Sequence, residues 1–178
     1  NNKNIQILAF LLFLIIPLLT PSPAYAAITE VTASASTTLD QTTDTTINTM
    51  TTTPGAGDYL AIFNMEVLFD AVAGSNSLFV SIYVNGVQQA HTERQLDSDG
   101  SIDAAVFSIS THAHVNVGAS QVVDVRYRLS GTPAMTGRDR ALTLIPVSSA
   151  DVTQVTATLD DTLNSSTYTQ LGSMTATP

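Results

Sequence analysis

The chain has 178 residues, 44% of them hydrophobic, with 15 acidic against 6 basic side chains and a formal charge of −9. That length suits one domain plus a fragment, and the acidic balance argues against nucleic acid, whose phosphates need clustered Lys and Arg. The absence of cysteine removes disulfides, thiolate metal sites and a Cys nucleophile.

The first 26 residues read as an export leader. Lys3 gives a short positive start, and residues 7–19 form an unbroken apolar run, ILAFLLFLIIPLL. Pro21 and Pro23 then break any helix, and Ala24-Tyr25-Ala26 places small residues at −3 and −1 of a cleavage site. The pattern predicts a signal-peptide helix removed after Ala26, with an uncleaved anchor as the alternative. A 13-residue run is short of the roughly 20 residues that cross a bilayer. No stable membrane insertion is therefore expected after cleavage, and the product is expected to be secreted or at the cell surface. Lys3 is the sole lysine, which leaves five arginines against all fifteen acids beyond the leader. Such a surface repels nucleic acids and anionic membranes. The opening Asn1 suggests a piece of a longer reading frame.

A threonine-rich stretch follows, and it recurs. Val31–Pro54 aligns without a gap on Val155–Pro178 at an offset of 124, with 11 of 24 positions identical. The shared Val-Thr-Ala opening and Met-Thr-x-Thr-Pro ending keep one register. Self-similarity of this kind predicts a full unit over 27–154 and the truncated start of a second over 155–178. The alternative is two independent Thr-rich β segments within one domain.

The middle of the chain has period two throughout. Tyr59, Ala61, Phe63, Met65, Val67 and Phe69 fall on one strand face, with Asn64, Glu66 and Asp70 on the other; this is a half-buried antiparallel strand. Leu78, Val80, Ile82 and Val84 repeat the pattern up to Asn85-Gly86, the strongest short hairpin signal, with a return strand from Val87. Residues 105–117 alternate again, then turn at Gly118-Ala119-Ser120. Val123, Val125 and Tyr127 alternate with Asp124, Arg126 and Arg128, and Ala141–Val147 closes the series. No stretch beyond the leader has helical spacing with caps, and β-branched Thr and Val dominate. The expectation is all-β: an antiparallel β-sandwich of jelly-roll type with about eight to ten strands.

The order of these signals resembles the C1q/TNF-like jelly roll. A Gly-x-Tyr strand follows a Pro turn at Pro54-Gly55-Ala56-Gly57-Asp58-Tyr59. An Asn-Gly hairpin ends the strand Val80-Ser81-Ile82-Tyr83-Val84. A Gly turn at Gly118 precedes the Val-rich strand, and Ala141–Ile145 is the hydrophobic closing strand. The family's Gly-Asp turn is Gly118-Ala119 here, and its aromatic-rich closing strand is aliphatic. The resemblance, over about residues 30–150, implies a sandwich that assembles as a homo-oligomer, a trimer in that family. The repeat layout is similar to tandem surface or fibre proteins of bacteria and their phages.

Three constellations are candidates for chemistry. Asp97, Asp99 and Asp103 surround Gly100 and read either as a calcium loop, since Ca²⁺ takes several hard oxygens on a tight turn, or as a solvated hairpin tip. EF-hand spacing is absent, with Ser108 where its last Glu would stand. His112 and His114 share a strand face and would begin a metal site if His91 or Glu93 supplied a third ligand; their even numbering, against Phe107 and Ile109, points them outward as surface histidines. Arg138-Asp139-Arg140 ends what reads as a long loop, 129–140, either a solvated loop with local ion pairs or a binding loop. No Gly-x-Ser-x-Gly, His-Glu-x-x-His or phosphate loop is present, so no enzyme is expected. The reading is a non-catalytic extracellular structural or adhesive module, with neighbouring repeat units or a homo-oligomer as partners. The alternatives are a calcium-dependent module binding a surface glycan or protein, and a phage or virion fibre domain, which the leader opposes.

Overall fold

Alternation of apolar and polar side chains makes a strand amphipathic, and such strands are stable only when two sheets bury their apolar faces together. The computed structural model describes residues 27–69, 76–98, 105–132 and 134–148. The leader, the second copy of the repeat, Asp99 and Asp103 lie outside the described residues. Ten strands follow in chain order: β1 (Thr29–Ala33), β2 (Thr37–Leu39), β3 (Thr45–Thr52), β4 (Gly57–Phe69), β5 (Asn76–Val84), β6 (Val87–Gln88), β7 (Arg94–Ser98), β8 (Ala105–Val117), β9 (Val123–Leu129) and β10 (Met135–Pro146).

They form two five-stranded antiparallel sheets, a jelly-roll-like sandwich. The first sheet runs β1-β10-β4-β8, with β2 on the same β10 strand as β1. The second runs β3-β9-β5-β6, with β7 also on β5. The 13 residues of β4 pair in unbroken register with β8, from Gly57↔Val117 to Phe69↔Ala105. The Asn85-Gly86 turn forms as its sequence requires: Asn85 takes φ 50° and Gly86 φ 78°, the left-handed pair a tight hairpin needs.

Tyr59, Phe63, Met65, Ile82, Leu142 and Leu144 are among the side chains sealed between the sheets. The inward set matches the odd-numbered face of β4 and the even-numbered face of β5 expected from the sequence. Phe69 and Phe107 meet edge to face at one end, with centroids 5.2 Å apart. The Tyr59 hydroxyl donates to the Gly55 carbonyl at 3.0 Å, which satisfies a phenol whose ring is buried.

Two sequence expectations need correction. Residues 129–140 are not a long loop: β9 runs to Leu129 and β10 begins at Met135. The register of β10 against β4 slips between Arg138 and Ala141, where Asp139 takes φ 27°. This bulge breaks the alternation, so polar residues inside a strand look like a loop. The return strand after Asn85-Gly86 is also only two residues long, β6, before the chain turns again and resumes as β7. Asp97 and Ser98 accordingly belong to a strand rather than to a loop tip.

Candidate functional site

The second sheet turns an organised polar face to the outside. On β9, Val123, Val125, Tyr127 and Leu129 point inward, which sends Asp124, Arg126 and Arg128 outward. Phe79, Ser81 and Tyr83 of β5 lie opposite them in the register Phe79↔Arg128, Ser81↔Arg126 and Tyr83↔Asp124. Each arginine lies over a ring, Arg126 4.4 Å from the Tyr83 centroid and Arg128 4.3 Å from that of Phe79. Attraction of a cation to a ring face is worth about 0.5–1 kcal/mol where water reaches it.

Carboxylates lock the two guanidinium groups. Arg126 Nε donates to Asp124 Oδ2 at 2.6 Å, and the Thr46 hydroxyl of β3 donates to the same oxygen at 3.0 Å. Asp124 is 4% exposed, so these two donors are what make its charge tolerable there. Arg128 Nη1 donates to Glu93 at 2.7 Å and to Asp44 at 3.4 Å. The Arg128 hydrogen bond holds the Glu93 carboxyl below the usual carboxylate range. Burial, helped by a hydrogen bond to Asp44, pushes the Tyr83 phenol up to about 12. The face is a fixed arrangement of cations, carboxylates and rings, suited to recognition or stacking. The D-x-R-x-R alternation was visible in the sequence, but its pairing with Phe79 and Tyr83 depends on strand order.

A second feature lies on the first sheet. An open cleft of about 390 Å³ is lined by Ala33, Asn64, Asp139 and Arg140, among others. Arg140 is 2% exposed and burial lowers the basicity of its guanidinium. Its Nε donates to the Asn48 carbonyl at 3.0 Å and its Nη1 to the Ala35 carbonyl at 2.7 Å. The sequence placed this residue at the end of a long loop, solvated or binding; the bulge instead turns it into the sandwich as a clasp on β1–β3.

The predicted metal constellations are only partly within the described residues. Asp97 is exposed on β7, accepting from Gln95 Nε2 at 2.7 Å, and this bond together with one from Ser77 lowers its pKa. His112 and His114 share the outer face of β8 as expected, and His114 lies 3.7 Å from Asp58. Glu93 is committed to Arg128 on the opposite sheet. Among the described residues no group of three or more His, Cys, Asp or Glu is placed to hold a metal, and no helix is long and apolar enough to cross a membrane.

No family model matches the chain, and no curated protein matches it. Solved structures do. The Eiger TNF from S. frugiperda superposes with a TM-score of 0.47 at 11% identity, over 72% of this chain and 99% of that one. The VP2 subviral particle of infectious bursal disease virus gives 0.47 at 15% identity, over 70% of this chain but 34% of that one. A dimeric latent PorU from Porphyromonas gingivalis gives 0.37 at 12% identity, over 13% of that chain. This chain thus spans about a third of the capsid protein it resembles. These are likenesses of architecture.

Proposed function

We propose that the chain is a non-catalytic structural or adhesive module of an exported protein, a stiff β-sandwich strung with further units of the same kind. One observation carries the reading. The duplicated stretch 31–54 begins inside β1, carries β2 and β3 whole and ends in the turn after them. A duplication that carries the opening strands of the sandwich in one register supports a unit beginning near residue 28 and another beginning near 155. The leader supports export, and the ion-paired outer face of the second sheet supplies a rigid surface on which a neighbouring unit or a second copy can stack. Such stacked units contribute stiffness and reach, and their loops contribute contacts.

Expression of the full chain with its leader in a bacterial host tests export. The expected product starts at Ala27 and is recovered outside the cytoplasm, as read by N-terminal sequencing of the fractions. An uncleaved chain held in the cytoplasm would overturn the reading.

A further inference from the structure

The last strand on each side of a sheet carries backbone donors and acceptors that the sheet itself cannot pair. Folded chains blunt such edges with short strands, charges, prolines or bulges. Among the described residues, three of the four sheet edges are blunted in this way. Beyond β10, the first sheet ends in β1 and β2, of five and three residues. In the second sheet, β3 loses register between Thr46 and Thr51, where Thr49 takes a left-handed φ of 69°. The opposite edge is divided between β6, two residues long, and β7, which carries Arg94 and Asp97.

The remaining edge, β8, has none of these devices. It runs 13 residues as AVFSISTHAHVNV, without Lys, Arg, Asp, Glu, Pro or Gly. Its register with β4 is free of bulges, and among the described residues it pairs with β4 alone. It is also held firmly. The Thr111 hydroxyl at its centre donates to the Thr92 carbonyl, in the turn between β6 and β7, at 2.6 Å. Near its end, Asn116 Nδ2 donates to Asp58 Oδ1 of β4 at 2.9 Å. An edge that is fixed before contact has little conformational freedom left to lose on binding.

The strand also complements itself. Two copies laid antiparallel about a two-fold axis at Thr111 overlap over its whole length. On the outer face Ser110 then lies opposite the partner's His112, Ser108 opposite the partner's His114 and Val106 opposite the partner's Asn116. On the inner face Ile109 lies opposite the partner's Ala113 and Phe107 opposite the partner's Val115. Each row sets a smaller side chain against a larger one, and no formal charge faces another. That matters in a chain of formal charge −9, whose copies repel one another. Asp58 and Glu66, on β4, stand one strand further in.

We propose that two copies of this chain join edge to edge along β8, antiparallel about Thr111, so that their first sheets become one continuous sheet. The contact is isologous and uses both free edges, so it closes as a dimer and does not grow. Backbone hydrogen bonds hold it, roughly one for each residue of the overlap, and the outer side chains set its register. The inference goes beyond the module reading and does not rest on it: it concerns an edge of the first sheet, and its test reads mass and register in the purified protein.

Sedimentation equilibrium on the full chain should give twice the monomer mass of 18.8 kDa. Ser110 is exposed, and its two copies lie diagonally across the axis, within reach of long side chains. Ser110→Lys and Ser110→Glu chains should each sediment as monomers with an unchanged far-UV spectrum, and an equimolar mixture of the two should sediment as a dimer. The chain has no cysteine, so disulfides report the register. Ser110→Cys chains mixed with His112→Cys chains should form a mixed disulfide under glutathione equilibration. Ser110→Cys mixed with Asn116→Cys should not, because those positions lie four residues out of register, beyond the span of a disulfide. If a charged variant unfolds, the disulfide pairs decide alone. The proposal is overturned by a monomeric chain, as a segment of the same chain lying on the edge would give. It is overturned equally by an assembly that survives both Ser110 charges, as packing through a sheet face would, by a mixture that stays monomeric, or by cross-linking that favours Asn116→Cys.

Discussion

Among the described glycines, Gly137 is the one where an added methyl group has the most to displace. It lies in β10 opposite Thr37, with its backbone against the interior. A Cβ built there meets Met65 Sδ at 2.8 Å, Thr37 Cγ2 at 3.3 Å and Leu39 Cδ1 at 3.5 Å. Ordinary contact between such atoms is about 3.5–4.0 Å, so the Met65 sulfur must retreat by most of an ångström. Met65 is 2% exposed and sealed among other core side chains, which leaves little room to retreat. Overpacking of this kind costs about 1–3 kcal/mol. Gly→Ala also restricts the unfolded chain, a gain of about 0.4–1 kcal/mol. The net expectation for Gly137→Ala is a loss of about 0.5–2 kcal/mol, read as a fall of several degrees in Tm at roughly 2–4 °C per kcal/mol. Chemical denaturation should show a lower midpoint with an unchanged slope. Met65→Ala alone should cost about 2–5 kcal/mol through its cavity, and the double variant should lose at least about 1 kcal/mol less than the two single losses combined, because the new methyl enters the vacated space. Strict additivity, or a stabilised Gly137→Ala chain, would refute the close approach on which the reasoning depends.

Phe63→Ala removes a ring that is 0% exposed and should destabilise by about 3–5 kcal/mol in chemical denaturation. An absorbance titration should show a tyrosine ionising near pH 12, and Tyr83→Phe should remove that step. Because its folded pKa is raised, the associated stability is present below pH 10 and is lost as pH rises through about 12. Glu93 has the opposite sign: its folded pKa lies below 4.5, so its contribution is present above that value and fades as pH falls further. Glu93→Gln should shift stability by less than about 1 kcal/mol, since the pair with Arg128 is open to water. Melting with calcium and with EGTA should coincide, because the Asp97 carboxylate is already engaged by Gln95 and Ser77; a calcium-dependent rise would revive the aspartate-loop reading.

Strand identity was legible wherever alternation was uninterrupted. The odd-numbered face of β4, the even-numbered face of β5 and the Asn85-Gly86 turn follow from period two and from the conformational freedom of Asn and Gly. Reading failed where a bulge shifted the period. Arg138, Asp139 and Arg140 look solvated in the sequence, yet the slip at Asp139 turns Arg140 inward and leaves it 2% exposed. The outer face of β9 was legible as a pattern but not as a site. Nothing local says that Arg126 lies over Tyr83 or that Thr46 reaches Asp124 from 78 residues away. Those meetings come from the order of strands in the sheet, which depends on long-range pairing.

Arg140 holds the β1–β3 segment through its backbone. A buried guanidinium normally demands a carboxylate, since an uncompensated internal charge is costly. Here two backbone carbonyls, from Ala35 and Asn48, accept its protons, and carbonyl dipoles belong to the chain whatever its side chains are. A carboxylate partner would have tied the clasp to one side chain of that segment. Carbonyl partners tie it only to the path of the backbone, which the buried Leu39, Ile47 and Met50 and the pairing with β9 and β10 already fix. Arg140→Met tests this. It removes the donor from two carbonyls on exposed residues, where water can take its place, at a net cost of about 0.5–1.5 kcal/mol each, offset in part by relief of the desolvated charge. The variant should therefore remain folded while exchange at the β1 and β3 amides accelerates ahead of β4 and β8. Uniform acceleration across all strands in hydrogen exchange would mean that Arg140 stabilises the whole sandwich and is not a clasp on its edge.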